Sequence, residues 1–294
     1  MPFSDIYKPS GLAITYELFP PKTESGAEAL FHHVEQLLPF QPSCITCTYG
    51  AGGTTQQKTL EIISSVKERF GVPVASHLTC VGATEEELRG YLQKAQNAQI
   101  EGIVALRGDP PKGEKEFKVT KGGLAYANEL VTLIREEFPD FQIAVAGYPE
   151  KHQEAPSLEV DLLNLKRKVD AGADVVLTQL FYENQTFESF RREYEKAGIT
   201  KPLVPGILPI TSFSQIKRIT ALCGAILPQG LSNQLADREN DPEGQFEIGV
   251  EFATRQVEEL VEMGVPGIHF YVLNKSQATC QVLRNLNIVG STCS

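Results

Sequence analysis

Short apolar runs of the β-strand type recur along the chain about every 30 residues, the spacing of βα units in a parallel barrel. The runs cover residues 14–19, 44–48, 74–78, 102–107, 143–146, 175–179, 203–207 and 267–271. Between them, apolar residues at helical spacing predict helices over 26–38, 56–69, 84–97, 124–137, 158–171, 187–197, 213–222 and 247–263. This alternation predicts an α/β fold, a (β/α)8 TIM-type barrel that forms one domain over residues 1–294.

One segment departs from this rhythm. Residues 224–246 lie between the predicted seventh and eighth units and are too long for a simple turn, so we expect an extra irregular helix there. A doubly wound sheet is the alternative α/β fold, and it requires a glycine-rich phosphate turn after the first strand. Phe19-Pro20-Pro21 follows that strand here, which favours the barrel.

Polar residues stand where the predicted strands end. In a parallel barrel these carboxyl ends all face one mouth, where catalytic groups are placed. The residues concerned are Glu17, Thr48, His77, Arg107, Gly108, Asp109, Tyr148, Gln179 and Tyr271. Side chains from the whole chain would therefore converge on one pocket, a pattern typical of an enzyme.

Glu17 is an acid among apolar and aromatic residues, in Ile14-Thr-Tyr-Glu-Leu-Phe. Burial raises the pKa of a carboxyl, and such a group can serve as a general acid near neutral pH. The alternative is a salt-bridged carboxylate of the barrel interior with no chemical role.

The predicted helix over 158–171 carries a second candidate site. Asp161, Asn164 and Lys168 share one polar face, while Leu162 and Leu165 lie on the face that would cover the sheet. A carboxylate, an amide and a cation in a row suit a nucleotide, with the carboxylate on ribose hydroxyls and the cation near a diphosphate. A solvated helix face with complementary charges is the alternative.

The charge and hydropathy of the chain disfavour several classes of partner and location. The formal net charge of −10 argues against nucleic acid or an anionic membrane as the main partner. No apolar stretch could span a bilayer and the N-terminus lacks an apolar signal segment, so a cytoplasmic protein is expected.

Cys44 and Cys47 form a C-x-x-C pair, a motif that occurs in redox pairs and as half of a zinc site. The favoured interpretation is that both are small buried core residues. No metal is expected.

Together the motifs are more specific than any one of them. They are Tyr16-Glu-Leu-Phe-Pro-Pro, Thr48-Tyr-Gly-Ala, His77-Leu-Thr-Cys, Ala105-Leu-Arg-Gly-Asp, Tyr148-Pro-Glu, Asp161-Leu-Leu-Asn-Leu-Lys-Arg-Lys, Thr178-Gln, Pro205-Gly-Ile-Leu-Pro and Phe270-Tyr-Val-Leu-Asn. In this order, from about residue 12 to 287, the chain resembles the methylenetetrahydrofolate reductases. The resemblance implies a FAD-containing barrel that reduces 5,10-methylenetetrahydrofolate to 5-methyltetrahydrofolate with NAD(P)H, by ping-pong kinetics, in one-carbon and methionine metabolism. It also implies a homo-oligomer.

The resemblance further implies roles for individual residues. Glu17 would be the general acid that opens the folate ring at N10, and Asp109 would stabilise the cationic folate and tune the flavin. The FAD-contacting positions would be Thr48, Tyr49, Ala51, His77, Arg107, Gly108, Asp109, Tyr126, Ala127, Tyr148, His152, Asp161, Asn164, Arg167 and Lys168. The substrate-contacting positions would be Glu17, Asp109, Gln179, Gln215 and Lys275.

Two positions depart from the family pattern. Lys275 stands where relatives can carry an arginine, so a carboxylate of the substrate would meet a point charge instead of a two-pronged donor. Ile219 stands where an aromatic ring can stack on a ligand. A barrel that receives electrons from a partner subunit, and a barrel that binds folate or flavin without turnover, therefore stay as alternatives. The choice between NADH and NADPH is left open.

Overall fold

The structure is a computed structural model that describes residues 6–7, 11–21, 23–49, 56–110, 113 and 117–288, with the side chains of residues 56 and 57 excepted. Nine strands are found there: β1 Ala13–Leu18, β2 Cys44–Cys47, β3 Val74–Thr79, β4 Gly102–Leu106, β5 Gln142–Gly147, β6 Val175–Thr178, β7 Leu203–Val204, β8 Gly206–Ile207 and β9 Gly267–Tyr271. The α-helices of the described part are α1 Glu24–Leu37, α2 Gln56–Phe70, α3 Glu85–Asn97, α4 Ala127–Glu137, α5 Leu158–Asp170, α6 Asn184–Lys196, α7 Phe213–Cys223, α8 Gln229–Ala236, α9 Pro242–Glu262 and α10 Gln277–Asn285.

All strand pairs are parallel, and their order is β7-β6-β5-β4-β3-β2-β1-β9-β8. β7 and β8 are the two halves of the predicted strand 203–207, interrupted at Pro205. The first half pairs with β6 and the second with β9, so the sheet returns to its starting point. Proline has no backbone N–H to donate, but the Pro205 carbonyl accepts from His269 N at 3.0 Å. The prediction of a (β/α)8 barrel is confirmed.

Side-chain alternation along β1 divides the barrel into an inside and an outside. Ala13 belongs to a cluster of small and branched residues that fills the barrel interior, and Thr15 and Glu17 follow on the same face. Ile14 and Tyr16 face outwards and pack in the larger core under the helices. Towards the amino ends of the strands, the interior side chains are small and apolar. Along β1, Glu17 is therefore the charged residue nearest to the mouth of the barrel.

Local signals set several helix ends where the sequence predicts them. Thr84 caps α3, accepting from Glu87 N at 3.2 Å while the Glu87 carboxylate accepts from Thr84 N at 2.8 Å. Ser157 caps α5 in the same way by accepting from Val160 N. Gly71, just past α2, has a φ of +67°, which favours glycine.

The last third of the chain differs from the prediction. The segment 224–246 contains α8, and α9 begins at Pro242, not at residue 247, because Asp241 caps it by accepting from Gly244 N at 2.9 Å. Like the helix predicted over 247–263, α9 precedes the last strand. The helix that follows this strand is α10, which the sequence analysis missed because it is only nine residues long.

The two cysteines of the C-x-x-C pair are buried core residues, as predicted. Cys44 lies inside the barrel and Cys47 outside it, on alternate faces of β2. Burial raises the pKa of both thiols, which keeps them protonated. Within the described ranges, no group of three or more His, Cys, Asp or Glu side chains is placed to hold a metal. None of the helices in these ranges combines the length and the hydropathy that a membrane span requires.

Candidate active site

Glu17 lies between two imidazoles inside the barrel. Its Oε2 is 3.3 Å from His77 Nε2, on β3, and 3.5 Å from His269 Nε2, on β9. The three side chains are 10%, 8% and 1% exposed. A carboxylate so deeply buried needs a charged or hydrogen-bonding partner, and the two neighbouring strands each supply one.

The pKa of Glu17 moves in the direction opposite to the one predicted. Burial alone would raise it, but the positive charge of a protonated His77 and polar contacts with both imidazoles outweigh burial and lower the pKa from 4.5 to about 2. The expectation of a raised pKa is therefore wrong. It considered only the apolar neighbours of Glu17 along β1, whereas the decisive neighbours lie across the barrel.

His269, on β9, is a residue of this site to which the sequence analysis assigned no role. Its Nδ1 lies 2.9 Å from Thr15 Oγ1, and Thr15 is in turn hydrogen-bonded by the Tyr7 hydroxyl. The signal in the sequence was the shared alternation: Thr15 and Glu17 face inwards on β1, and His269 faces inwards on β9, its partner strand.

A second group of polar residues lies where β5 leads into α5. The Asp161 carboxylate accepts from His152 N at 2.9 Å, and the His152 ring meets the Tyr148 ring edge-on at a centroid distance of 4.7 Å. Lys168 donates to the Ala146 carbonyl at 2.5 Å. Asp161 is buried and Lys168 half-buried, so this part of the helix is not a plain solvated face.

The Arg107-Gly108-Asp109 segment lies beside this group. Arg107 makes a two-pronged ion pair with Glu154, with N–O distances of 2.5 and 2.8 Å. Gly108 has a φ of +87°, and a Cβ there would press on Val81. Asp109 is exposed and interacts electrostatically with Arg107, Tyr148 and His152.

Tyr271 connects the two groups. It interacts electrostatically with Glu17 and with Tyr148, and its hydroxyl donates to the Thr178 carbonyl at 2.7 Å. The group formed by Glu17, His77 and His269 is therefore a neighbour of the group around Tyr148, at the same end of the barrel. This is the convergence that the positions of the strand ends predicted.

The remaining predicted site residues have the following surroundings. Thr48 follows β2 and its carbonyl accepts from Thr59, whereas Tyr49 is buried against Tyr91. Tyr126 is 60% exposed and caps α4, which Ala127 begins. Arg167 donates to the Asn164 side chain at 3.0 Å, and both are exposed. Ala51 lies outside the described residues.

Three predicted substrate residues lie after other strands of the barrel. Gln179 directly follows β6, and its side-chain oxygen accepts from Leu180 N at 2.9 Å. Gln215 lies in the first turn of α7, 3.4 Å from the Thr211 hydroxyl. Lys275 is exposed after β9, next to Asn274, whose side chain both donates to and accepts from the Phe19 backbone. That exchange joins the loops that follow β1 and β9.

The fold and site define the class of parallel (β/α)8-barrel proteins that carry their polar groups at the carboxyl ends of the strands. The family follows from sequence. The family model for methylenetetrahydrofolate reductase matches residues 3–287, and this chain belongs to that family.

Individual relatives agree with this assignment. The chain is 37% identical to the 5,10-methylenetetrahydrofolate reductase of Escherichia coli K12 over 275 residues, which cover 94% of this chain and 90% of that protein. It is also 37% identical to methylenetetrahydrofolate reductase (NADH) 1 of Arabidopsis thaliana over 290 residues, 95% of this chain. It spans about half the length of that plant relative, 49%.

Among solved structures, an uncharacterised protein from Clostridium thermocellum that binds two copies of 5-methyl-5,6,7,8-tetrahydrofolic acid has the same fold. The TM-score is 0.65 at 16% sequence identity, with 98% of this chain and 99% of the other covered. Dihydropteroate synthase from Stenotrophomonas maltophilia is a more distant likeness, with a TM-score of 0.54 and 12% identity. Similarity at these identities establishes the fold alone.

Proposed function

We propose that this protein reduces 5,10-methylenetetrahydrofolate to 5-methyltetrahydrofolate with NAD(P)H as reductant and FAD as bound cofactor. The observation that carries the proposal is Glu17, a buried carboxyl at the barrel mouth in contact with two imidazoles, in a chain matched to the family over nearly its whole length. A proton donor placed this way is what opening of the folate imidazolidine ring requires.

The residues at the mouth suit FAD. Arg107, Arg167 and Lys168 are cations for a diphosphate, and the Asp161 carboxylate suits ribose hydroxyls. The Thr79 hydroxyl, on the inward face of β3, is buried and has no hydrogen-bond partner among the described residues, so a ligand atom could satisfy it. When bound, FAD would supply the centre that accepts hydride from the nicotinamide and returns it to folate.

The chain's own part in the chemistry is proton transfer and charge stabilisation. Glu17 would protonate N10 of the folate, which opens the ring and leaves an iminium cation at N5. Asp109, exposed at the mouth, would stabilise this cation by its negative charge. Since the pKa of Glu17 is lowered to about 2, its carboxyl is ionised at neutral pH and must receive the proton from a neighbour before it can give one.

A single pocket for nicotinamide and folate implies ping-pong kinetics. Each ligand would leave before the other enters, and initial-rate lines at several fixed concentrations of the second substrate should be parallel. Intersecting lines would mean that both ligands are bound together.

A second candidate keeps the fold but changes the electron source. Ile219 lies half-buried on α7, where a relative's aromatic ring could stack on a ligand, and a weakened nicotinamide site would favour electrons supplied by a partner subunit.

One experiment separates these possibilities. The purified chain is loaded with FAD under anaerobic conditions and its absorbance is followed on adding NADH, NADPH and then methylenetetrahydrofolate. We expect the flavin bands to bleach with a nicotinamide and to return with folate. Bound flavin that neither nicotinamide bleaches would favour the partner-fed alternative, and failure to take up FAD would contradict the proposal.

A further inference from the structure

We propose that His77 carries the proton that Glu17 passes to the folate, and that His269, held by Thr15, fixes the carboxylate from the other side. The proposal rests on the proposed function, because it concerns the proton that Glu17 delivers. It assigns distinct tasks to two imidazoles that contact the same oxygen atom.

The geometry brings both imidazoles within ion-pair distance of Glu17, although His77 Nε2 makes no hydrogen bond among the described residues. Both Nε2 atoms approach Glu17 Oε2, at 3.3 Å from His77 and 3.5 Å from His269. A proton that moves from an imidazolium to this oxygen neutralises two buried charges without changing the net charge of the three side chains. Because no charge enters or leaves the buried site, the transfer avoids the large cost of isolating a charge in the interior.

The two imidazoles differ in what holds them. His269 Nδ1 lies 2.9 Å from Thr15 Oγ1, and the Tyr7 hydroxyl hydrogen-bonds Thr15 in turn. If Tyr7 donates to Thr15 and Thr15 donates to Nδ1, the neutral His269 ring carries its proton on Nε2 and points it at Glu17. His269 is therefore suited to hold the carboxylate in place.

His77 is the imidazole with access to the mouth. Its side chain keeps 8% of its surface exposed, against 1% for His269. Of the two rings, His77 is therefore the one nearer to solvent, although its Nε2 atom is itself buried, whereas His269 is hydrogen-bonded to the buried Thr15.

The proton moves in two steps, first from His77 to Glu17 and then from Glu17 to the folate. The Nε2–H bond of the His77 imidazolium breaks and an O–H bond forms on Glu17 Oε2. That O–H bond then breaks as an N–H bond forms on N10 of the folate. The bond from the methylene carbon to N10 breaks, and its electron pair stays on N10. The lone pair of N5 then forms the iminium double bond to the methylene carbon. Neutral His77 takes one proton from water, so each turnover consumes one solvent proton.

Other titratable groups around Glu17 do not compete for this proton. Cys47, on the adjacent strand β2, and Tyr271, on β9, both interact electrostatically with the carboxylate. Burial raises the pKa of each, so both stay neutral across the range in which imidazoles titrate. The pH dependence of proton delivery should therefore not report on either of these two groups.

The first test needs no substrate. Imidazole ¹⁵N shifts are followed against pH in the FAD-loaded protein and in Glu17→Gln. We expect the ¹⁵N shifts of the His77 ring to differ between the two proteins, because Glu17→Gln removes a negative charge 3.3 Å from its Nε2. In Thr15→Val the single Nε2–H form of His269 should be lost, whereas Thr15→Ser should keep it. Superimposable titrations of wild type and Glu17→Gln would overturn the proposal.

Thr46→Val is the matched control. Thr46 pairs with Glu17 in the sheet register and is equally buried, but its hydroxyl has no hydrogen-bond partner within the described part of the chain. The same loss of one hydroxyl should therefore leave the shifts of both histidines unchanged. A change as large as that of Thr15→Val would mean that the histidines respond to packing in general.

The closing experiment mixes reduced, FAD-loaded protein with methylenetetrahydrofolate across pH. We expect reoxidation to slow as pH rises through the imidazole range, and His77→Gln to be slower by about 10²-fold and nearly independent of pH. Thr15→Val should lower the rate constant without raising the folate KM. A wild-type pH profile in His77→Gln would overturn this inference and leave the proposed function standing. No reoxidation in the wild type at any pH would overturn the proposed function instead.

Discussion

At the scale of single residues, Lys168 shows how the mouth of the barrel is suited to bind an anion. Its ammonium group lies 5.9 Å from the centroid of the Tyr148 ring and donates to the Ala146 carbonyl. Burial lowers the pKa of Lys168 to about 8, although the nearby Asp161 carboxylate acts in the opposite direction. Because burial disfavours the charged ammonium group, a bound diphosphate would stabilise that charge strongly.

The first prediction concerns the pH dependence of FAD affinity. The lysine pKa is about 8 without ligand, and a bound anion must raise it, so binding takes up a proton above that pH. Affinity should therefore be flat below pH 8 and fall by up to about tenfold per pH unit above it. Lys168→Met should bind FAD more weakly and without this slope, as titration of flavin fluorescence from pH 7 to 9 can measure. Lys166→Met, on the same helix, is the control that should keep the slope.

The second prediction concerns Glu17→Gln. Glutamine keeps the size of the side chain and one acceptor oxygen but loses the charge and cannot pass a proton to N10. Reduction of the flavin by NAD(P)H should be nearly unchanged, and reoxidation by folate should fall by about 10²-fold or more. Stopped-flow absorbance measures each half-reaction separately. Equal losses in both would remove Glu17 from the acid role.

At the scale of secondary-structure elements, the closure of the barrel depends on the interrupted strand at β7 and β8. Gly206 N donates to the Thr178 side chain at 2.9 Å, and the Tyr271 hydroxyl donates to the Thr178 carbonyl. A Cβ on Gly206 would overlap that carbonyl and lie 2.7 Å from the Tyr271 ring. The glycine is therefore needed for the close approach of β6, β8 and β9.

The third prediction follows from this crowding. Gly206→Ala should lower the free energy of unfolding by about 1–3 kcal/mol, the usual cost of overpacking, because backbone must shift. Gly90→Ala is the matched control: Gly90 lies exposed within α3 with open space around its Cα, so the change should stabilise by about 1 kcal/mol. Urea denaturation of both variants measures the difference. Equal stability of the two would contradict the role of Gly206 in closure.

At the scale of the whole molecule, the site is assembled from strands and loops that are far apart in the chain. Glu17 comes from β1, His77 from β3, Asp161 from α5 and His269 from β9. A ligand that contacts several of these elements binds only the closed barrel, so its binding energy adds to the free energy of unfolding.

The fourth prediction is a stability increment from FAD. At a concentration 100-fold above its Kd, FAD should stabilise the protein by about 2.7 kcal/mol and raise the unfolding midpoint by several degrees. Asp161→Ala should lose most of this increment, while Asp170→Ala, at the exposed end of the same helix, should keep it. Scanning fluorimetry with and without FAD measures the increment. A midpoint that saturating FAD leaves unmoved would contradict the proposed cofactor.

Features that depend on local pattern could be predicted from the amino-acid sequence. Strand and helix positions follow from periodicity, and helix ends follow from capping residues such as Thr84 and Gly71, because these interactions span only a few residues. The inward face of β1, and with it the location of Glu17 at the mouth, could also be predicted. The family was evident from ordered motifs along the chain.

Contacts between side chains across the barrel could not be predicted and became known from the folded structure. The contact of Glu17 with His269, the resulting direction of the Glu17 pKa, and the division of one strand at Pro205 all depend on closure of the sheet. Closure brings together residues from opposite ends of the chain, and no local period or spacing encodes their distance. The electrostatics of the site are therefore properties of the folded barrel, because a buried charge is governed by the groups within a few ångströms in space.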